Sequence, residues 1–189
     1  MPAEACRSSD NAFIHQLRYF ILKEFSDLGR NGKEVVFWEG CLLNRLNLVT
    51  LGVQNMKESL QFYRDGLGFD VVVHGDEANP EVVFFNNAGT KISLFQIDHL
   101  VNDIDEKNPP AVGNGFSGIT LAYNGKTKQE VDDVFAVAEQ AGAKIIKAPE
   151  KVFWGGYSGY FQDPNGFYWE VAYGDMWEFD ENEMLIIKE

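Results

Sequence analysis

From about Leu46 the chain runs twice through one plan of strand, helix and three strands, and this repeat limits the fold more than any single motif does. In the first copy, Leu46 to Val53 reads as a strand. Asn55 stands three residues before Glu58, an N-cap with its partner, and Gly66 stops the helix that carries Leu60, Phe62 and Tyr63. Gly68 to Val73, Glu81 to Phe85 and Lys91 to Phe95 follow as strands, the last two joined by the turn residues Asn86-Asn87-Ala88-Gly89. In the second copy, Gly118 to Tyr123 is the opening strand and Thr127 with Glu130 forms a capping box. Val131, Val134, Phe135, Ala138 and Ala141 give the helix its apolar stripe, and Gly142 ends it. Ala143 to Lys147, Tyr157 to Phe161 and Phe167 to Tyr173 complete the second set of strands, with Asp163-Pro164-Asn165-Gly166 as the closing turn.

The expected class is therefore α+β, two β-α-β-β-β modules over 46–97 and 116–174 joined by the acidic, Pro-containing stretch 98–115. A sheet with one helical face leaves a second, concave face, and pairing two modules as a cup or barrel would close those faces around a cavity. Pairing within one chain and exchange between the chains of a homodimer satisfy this geometry equally. Residues 1–45 have no counterpart in the repeat. They form an N-terminal extension whose apolar positions Phe13, Ile14, Leu17, Ile21, Phe25 and Leu28 predict a helix near 11–28, with a short strand over Val35 to Trp38. An acidic tail, 178–189, follows the repeat, and its Phe179 with nearby Trp177 is expected to cover a sheet edge or barrel end.

Composition removes several classes of partner. Lys and Arg number 16 against 29 Asp and Glu, a formal charge of -13, so nucleic acid and anionic membrane surfaces are repelled. The first ten residues lack a basic n-region, and Arg18, Lys23 and Glu24 interrupt the apolar run behind them, which predicts a cytoplasmic protein without signal peptide or membrane span. Cys6 and Cys41 have no neighbour at metal or redox spacing. His15, His74 and His99 are the only histidines, and the latter two fall in or near loops by this reading.

The stretch from about Leu46 to Trp177 resembles the vicinal oxygen chelate superfamily, the glyoxalase, bleomycin-resistance and dioxygenase fold. Ser59, Phe62-Tyr63 and Gly66-Leu67-Gly68-Phe69 match the family's first helix and its exit, and Phe161 to Val171 looks like its closing hairpin. The resemblance implies four metal positions, on the first and last strand of each module. They fall near Leu48, at Leu94, near Gly118 and at Glu170, so one of four keeps a ligating side chain. A catalytic zinc, nickel or iron site needs about three protein ligands and an open position. No metal ligand and no cofactor is therefore expected, a divalent ion having a place only at a nonstandard site.

Strand alternation around Glu170 places Tyr168 and Ala172 on the concave side and sends Phe167, Trp169, Val171 and Tyr173 to the helices. The same reasoning assigns Leu48, Thr50 and Gly52, then Ile92, Leu94 and Gln96, then Gly118, Thr120 and Ala122 to the cavity wall. Trp154 and Tyr157 precede the last hairpin among glycines, where they either stack on a ligand at the cavity mouth or fill a core seam, and Tyr160 reads as core. The expected ligand set is Thr50, Leu94, Thr120, Trp154, Tyr157 and Tyr168, with Glu170 as the candidate catalytic or anchoring carboxylate. Such a lining suits a small molecule with an apolar body and a donor or cationic head. Three functions fit: a metal-free small-molecule-binding protein; a divergent glyoxalase-like lyase, isomerase or dioxygenase with Glu170 as base or partial metal ligand; and a structural or partner-binding protein.

Overall fold

The computed structural model describes residues 46–113 and 115–187, so the N-terminal helix and strand expected before Leu46 lie outside the described residues. The elements fall in one compact unit, Asn47–Glu189. In order they are β1 (Leu48–Val53), α1 (Met56–Leu60) continued by a wider π-type turn (Gln61–Gly66), β2 (Val71–Asp76), β3 (Asn79–Phe85), β4 (Lys91–Gln96) and α2 (Ile97–Ile104). The second module consists of β5 (Thr120–Asn124), α3 (Lys128–Gln140), β6 (Lys144–Lys151), β7 (Tyr157–Gln162) and β8 (Tyr168–Tyr173). Each module forms a four-stranded mixed sheet, ordered β1-β4-β3-β2 and β5-β8-β7-β6, in which the first and last strands are parallel neighbours. The repeat read from the sequence is thus a repeat of topology.

Both helix starts form as their residues dictate. Asn55 Oδ1 accepts the Glu58 N–H at 3.1 Å, and Thr127 Oγ1 accepts the Glu130 N–H at 3.0 Å. Each such cap is worth about 1 kcal/mol. Glu130 takes the Lys126 N–H at 2.7 Å, one residue before the N-cap amide that a capping box would engage.

The two sheets do not close into a barrel. Their apolar mass sits on the helix sides, and that is where the modules meet. Tyr63, Phe69 and Phe85 of the first module and Phe161 and Trp169 of the second form a chain of rings with centroids 5.0 to 6.1 Å apart. Leu51, Val53, Val83, Leu94, Val131, Phe135 and Val171 extend this core through both modules. Polar groups lock the same seam. Tyr63 donates its O–H to Asp163 Oδ2 at 2.7 Å and receives the Trp169 indole N–H at 3.2 Å. Asn165 donates to Ser59 Oγ at 2.9 Å and accepts the Gln54 N–H at 3.0 Å. The turn Asp163 to Gly166 therefore ties the end of the second module to the first helix of the first.

Part of the stretch read as linker is helical. Ile97, Leu100, Val101 and Ile104 recur at helical spacing in α2, which turns back against β1 and β4. Gly52 makes room for it: a Cβ there would lie 2.3 Å from Ile97 Cδ1 and 3.1 Å from Leu100 Cδ2. Because both neighbours are flexible side-chain ends, Gly52→Val is expected to displace α2 at a cost of about 1 to 2 kcal/mol. Hydrogen exchange should show faster amides over 97–104 than elsewhere in the variant.

Candidate functional site

The face of the second sheet turned away from α3 is built by register. Ala122 pairs with Glu170, which pairs with Tyr160, while Thr120 pairs with Tyr168, which pairs with Gln162. Residues opposite one another project to the same side, so Glu170 stands amid Ala122, Tyr160, Tyr168 and Thr120. The Tyr160 phenol is shifted above its ordinary value, first by burial and then by hydrogen bonding to Glu170 and by that carboxylate's negative charge. Tyr160 therefore belongs to this open face, half-buried, and not to the core as the sequence suggested. Lys147 lies opposite Tyr160 but gives its Nζ to Glu150 Oε1 at 3.0 Å. Among the described residues no ion pair engages Glu170.

The first sheet's open face is more apolar. Thr50 pairs with Ser93, whose hydroxyl donates to Thr50 Oγ1 at 2.9 Å, and Gly52 pairs with Phe95. Phe84 and Val82 pair with Ser93 and Phe95 in turn. Leu94 is a correction: it pairs with Leu51, is fully buried and belongs to the core, as do Ile92 and the side of the sheet it shares. The open-face residues on either side of it, Ser93 and Phe95, are no more able to hold a metal.

Two other expected ligand residues also stand elsewhere. Tyr157 lies on the helix side, packed against the core, and donates to Asp132 Oδ1 of α3 at 2.8 Å. That bond raises its phenol pKa. Trp154 stacks on Trp177 at 5.8 Å and 20°, beside Gly174, Met176 and Ile187 in a depression of about 610 Å³. The structure thus brings Thr120, Tyr168 and Glu170 together, places Thr50 on the other sheet, puts Leu94 and Tyr157 on the helix sides, and engages Trp154 in its stack with Trp177. Trp177, just before the tail, completes this stack, and within the tail Phe179 bridges to Leu185.

His74 and His99 are not in loops. His74 lies in β2 with its ring against Phe84 at 5.5 Å, and His99 lies in α2 against Phe95 at 6.2 Å. His99, Phe95 and Gln96 line a cleft of about 890 Å³ at the carboxyl ends of the parallel strands β1 and β4, opposite Gln54, Lys57 and Asn79. The helical period of 97–104 was the signal that would have found its wall.

The fold implies a metal, but the donor set does not fit one. Leu48 and Gly118 have no ligating side-chain atoms, and among the described residues no three His, Cys, Asp or Glu gather where they could hold an ion. No helix among the described residues is long and apolar enough to cross a membrane.

Comparison with known proteins agrees with this architecture. The chain is 25% identical over 122 residues to the uncharacterized protein YraH of Bacillus subtilis (strain 168), covering 64% of this chain and 91% of YraH. It is 24% identical over 135 residues to the metallothiol transferase FosB of Staphylococcus epidermidis, covering 71% and 87%. The crystal structure of a glyoxalase-related enzyme from Fulvimarina pelagi superposes with a TM-score of 0.68 at 25% identity, covering 78% of this chain and all of that one. The family model for the glyoxalase/bleomycin resistance protein/dioxygenase superfamily matches residues 45–171, and the chain belongs to that superfamily.

Proposed function

We propose that this chain binds a small molecule with an apolar body and a donor or cationic head against the open face of the second sheet, without a catalytic metal. One observation carries the reading: Glu170 sits at the middle of that face with no ion-pair partner among the described residues, between small side chains and two phenols. A carboxylate so placed attracts a cation or donor, while Ala122, Thr120 and the tyrosine rings accept an apolar body. An anionic ligand would meet Glu170 directly and, at longer range, the chain's net charge of -13.

A thermal-shift series with aromatic amines tests this. A compound at a hundred times its dissociation constant adds about 2.7 kcal/mol of stability. For a chain of this size that raises the midpoint by roughly 5 to 10 °C. Glu170→Gln should remove most of the shift, and retention of the full shift would overturn the reading. Metal analysis of the purified protein checks the other half, since stoichiometric zinc, nickel, iron or manganese that disappears in Glu170→Gln would make the site a metal site.

A second reading is favoured by Tyr160. A phenol directly opposite the carboxylate gives the face a proton donor and acceptor in register, as a divergent lyase or isomerase with Glu170 as base would need. Under that reading Glu170→Gln keeps ligand binding and loses turnover.

A further inference from the structure

The helix-side seam between the modules contains a cavity that the Glu170 face does not use. It measures about 300 Å³ and is walled by Leu67, Phe69, Val134, Val137, Phe161 and Trp169. A cavity of about 150 Å³ accepts benzene, so this one has room for a ring and a short chain. Among the described residues the walls supply no spare side-chain donor, because the Trp169 indole N–H is already given to Tyr63. Polarity is confined to the mouth, where Tyr123, Glu130 and Asp133 stand. Glu130 accepts the Tyr123 O–H at 2.5 Å and the Lys126 N–H at 2.7 Å, and Asp133 accepts the Gln129 amide at 2.9 Å. All three donors are neutral, so two negative charges stand at the mouth, and among the described residues no Lys or Arg lines the cavity. Val137 is 43% exposed and Tyr123 40%, which leaves the entrance open to solvent.

We propose that this seam is a second ligand site, taking a small organic cation whose ring or branched chain enters between Phe69, Trp169 and Val134 while its ammonium stays at Glu130 and Asp133. The aromatic walls favour a cation at their faces and the mouth excludes an anion. Residues from both modules form the walls, so an occupant also ties the modules together.

Titration of phenethylammonium chloride into the full chain, followed by tryptophan fluorescence, tests the site against phenethyl alcohol and hydrocinnamate as neutral and anionic counterparts. Saturable binding of the ammonium is expected, with the alcohol roughly fivefold weaker and hydrocinnamate unbound. Asp133→Asn, an exposed substitution, should weaken the ammonium roughly threefold. In Glu170→Gln, where the open face has lost its carboxylate, saturable binding of the ammonium should remain, and adding Val137→Trp, which sets an indole across the mouth, should abolish it. No saturable binding in Glu170→Gln, equal affinity there for ammonium and alcohol, or binding that survives Val137→Trp in that background overturns the seam site. Binding lost in Glu170→Gln and kept in Val137→Trp assigns the ammonium to the open face instead, which overturns the seam site and supports the reading of Glu170.

Discussion

Asp163→Ala is expected to lower the unfolding free energy by about 3 kcal/mol, measured by urea denaturation at neutral pH. Asp163 is 5% exposed, and its two oxygens serve three donors. Oδ1 accepts the backbone N–H of Asn165 at 2.9 Å and of Phe167 at 2.7 Å, and Oδ2 accepts the Tyr63 O–H. Removing the carboxylate strands all three, and each buried donor left without a partner costs about 1 to 3 kcal/mol. The gain from no longer burying a charge offsets part of that total. Tyr63→Phe removes the link between modules but leaves the turn's own bonds intact, so a smaller loss of about 1 to 2 kcal/mol is expected. The double variant should lose less than the sum, because the Tyr63 bond counts in both single changes.

The same carboxyl gives a pH dependence of definite sign. Burial raises the Asp163 pKa above its ordinary value of 3.8, against the lowering effect of its hydrogen bonds to Tyr63 and to the backbone. A carboxyl with a raised folded-state pKa binds its proton more tightly in the folded chain. Its contribution to stability is therefore full below 3.8 and is lost as the pH rises through the raised value. Asp163→Asn cannot titrate, so it serves as the reference that cancels the chain's other acids. The stability of the unaltered chain minus that of Asp163→Asn should fall between acid and neutral pH, and a difference that grows with pH would contradict a raised pKa.

The parts of the fold that were legible in sequence are those set by local chemistry. Asn55 and Thr127 announce their helices because a side-chain oxygen must meet an orphan N–H. Glu170 was placed on its face by the family resemblance, and alternation then set its neighbours, a pattern that the burial of Tyr168 to Tyr173 follows over its first four residues. The last strand of the first module gives no such phase. Ile92, Ser93 and Leu94 are all buried, so hydropathy does not say which of them faces the helix, and a shift of one residue put Leu94 on the wrong wall. Helix α2 was hidden for a related reason. It follows β4 directly, its N-cap Gln96 makes no side-chain cap, and Asp98, Asp103 and the acids beyond it resemble a linker. The joining of the modules lay beyond local reading altogether, since it depends on Tyr63 reaching Asp163 across 100 residues.

Gly159→Ala is expected to cost about 2 to 4 kcal/mol although it adds one methyl group. Gly159 is buried on the core side of β7, opposite Val171. A Cβ there would lie 2.5 Å from the Lys147 carbonyl oxygen, 2.6 Å from Phe135 Cζ and 2.9 Å from the Pro149 nitrogen. The Phe135 ring can tilt, but the other two are backbone atoms of β6, held by its pairing with β7. Relief requires the sheet edge to move, and the neighbouring pairs Lys147 with Tyr160 and Glu150 with Ser158 move with it. Gly166→Ala makes a suitable control. Its backbone φ of +92° penalises alanine, yet a Cβ would come no closer than 3.6 Å to Gln162 Nε2. That cost is conformational, about 1 to 2 kcal/mol. Thermal unfolding should therefore rank Gly159→Ala well below Gly166→Ala. Because Tyr160 is displaced only in the first variant, the ligand-induced shift that depends on Glu170 should weaken in Gly159→Ala at temperatures where it is still folded, and persist in Gly166→Ala.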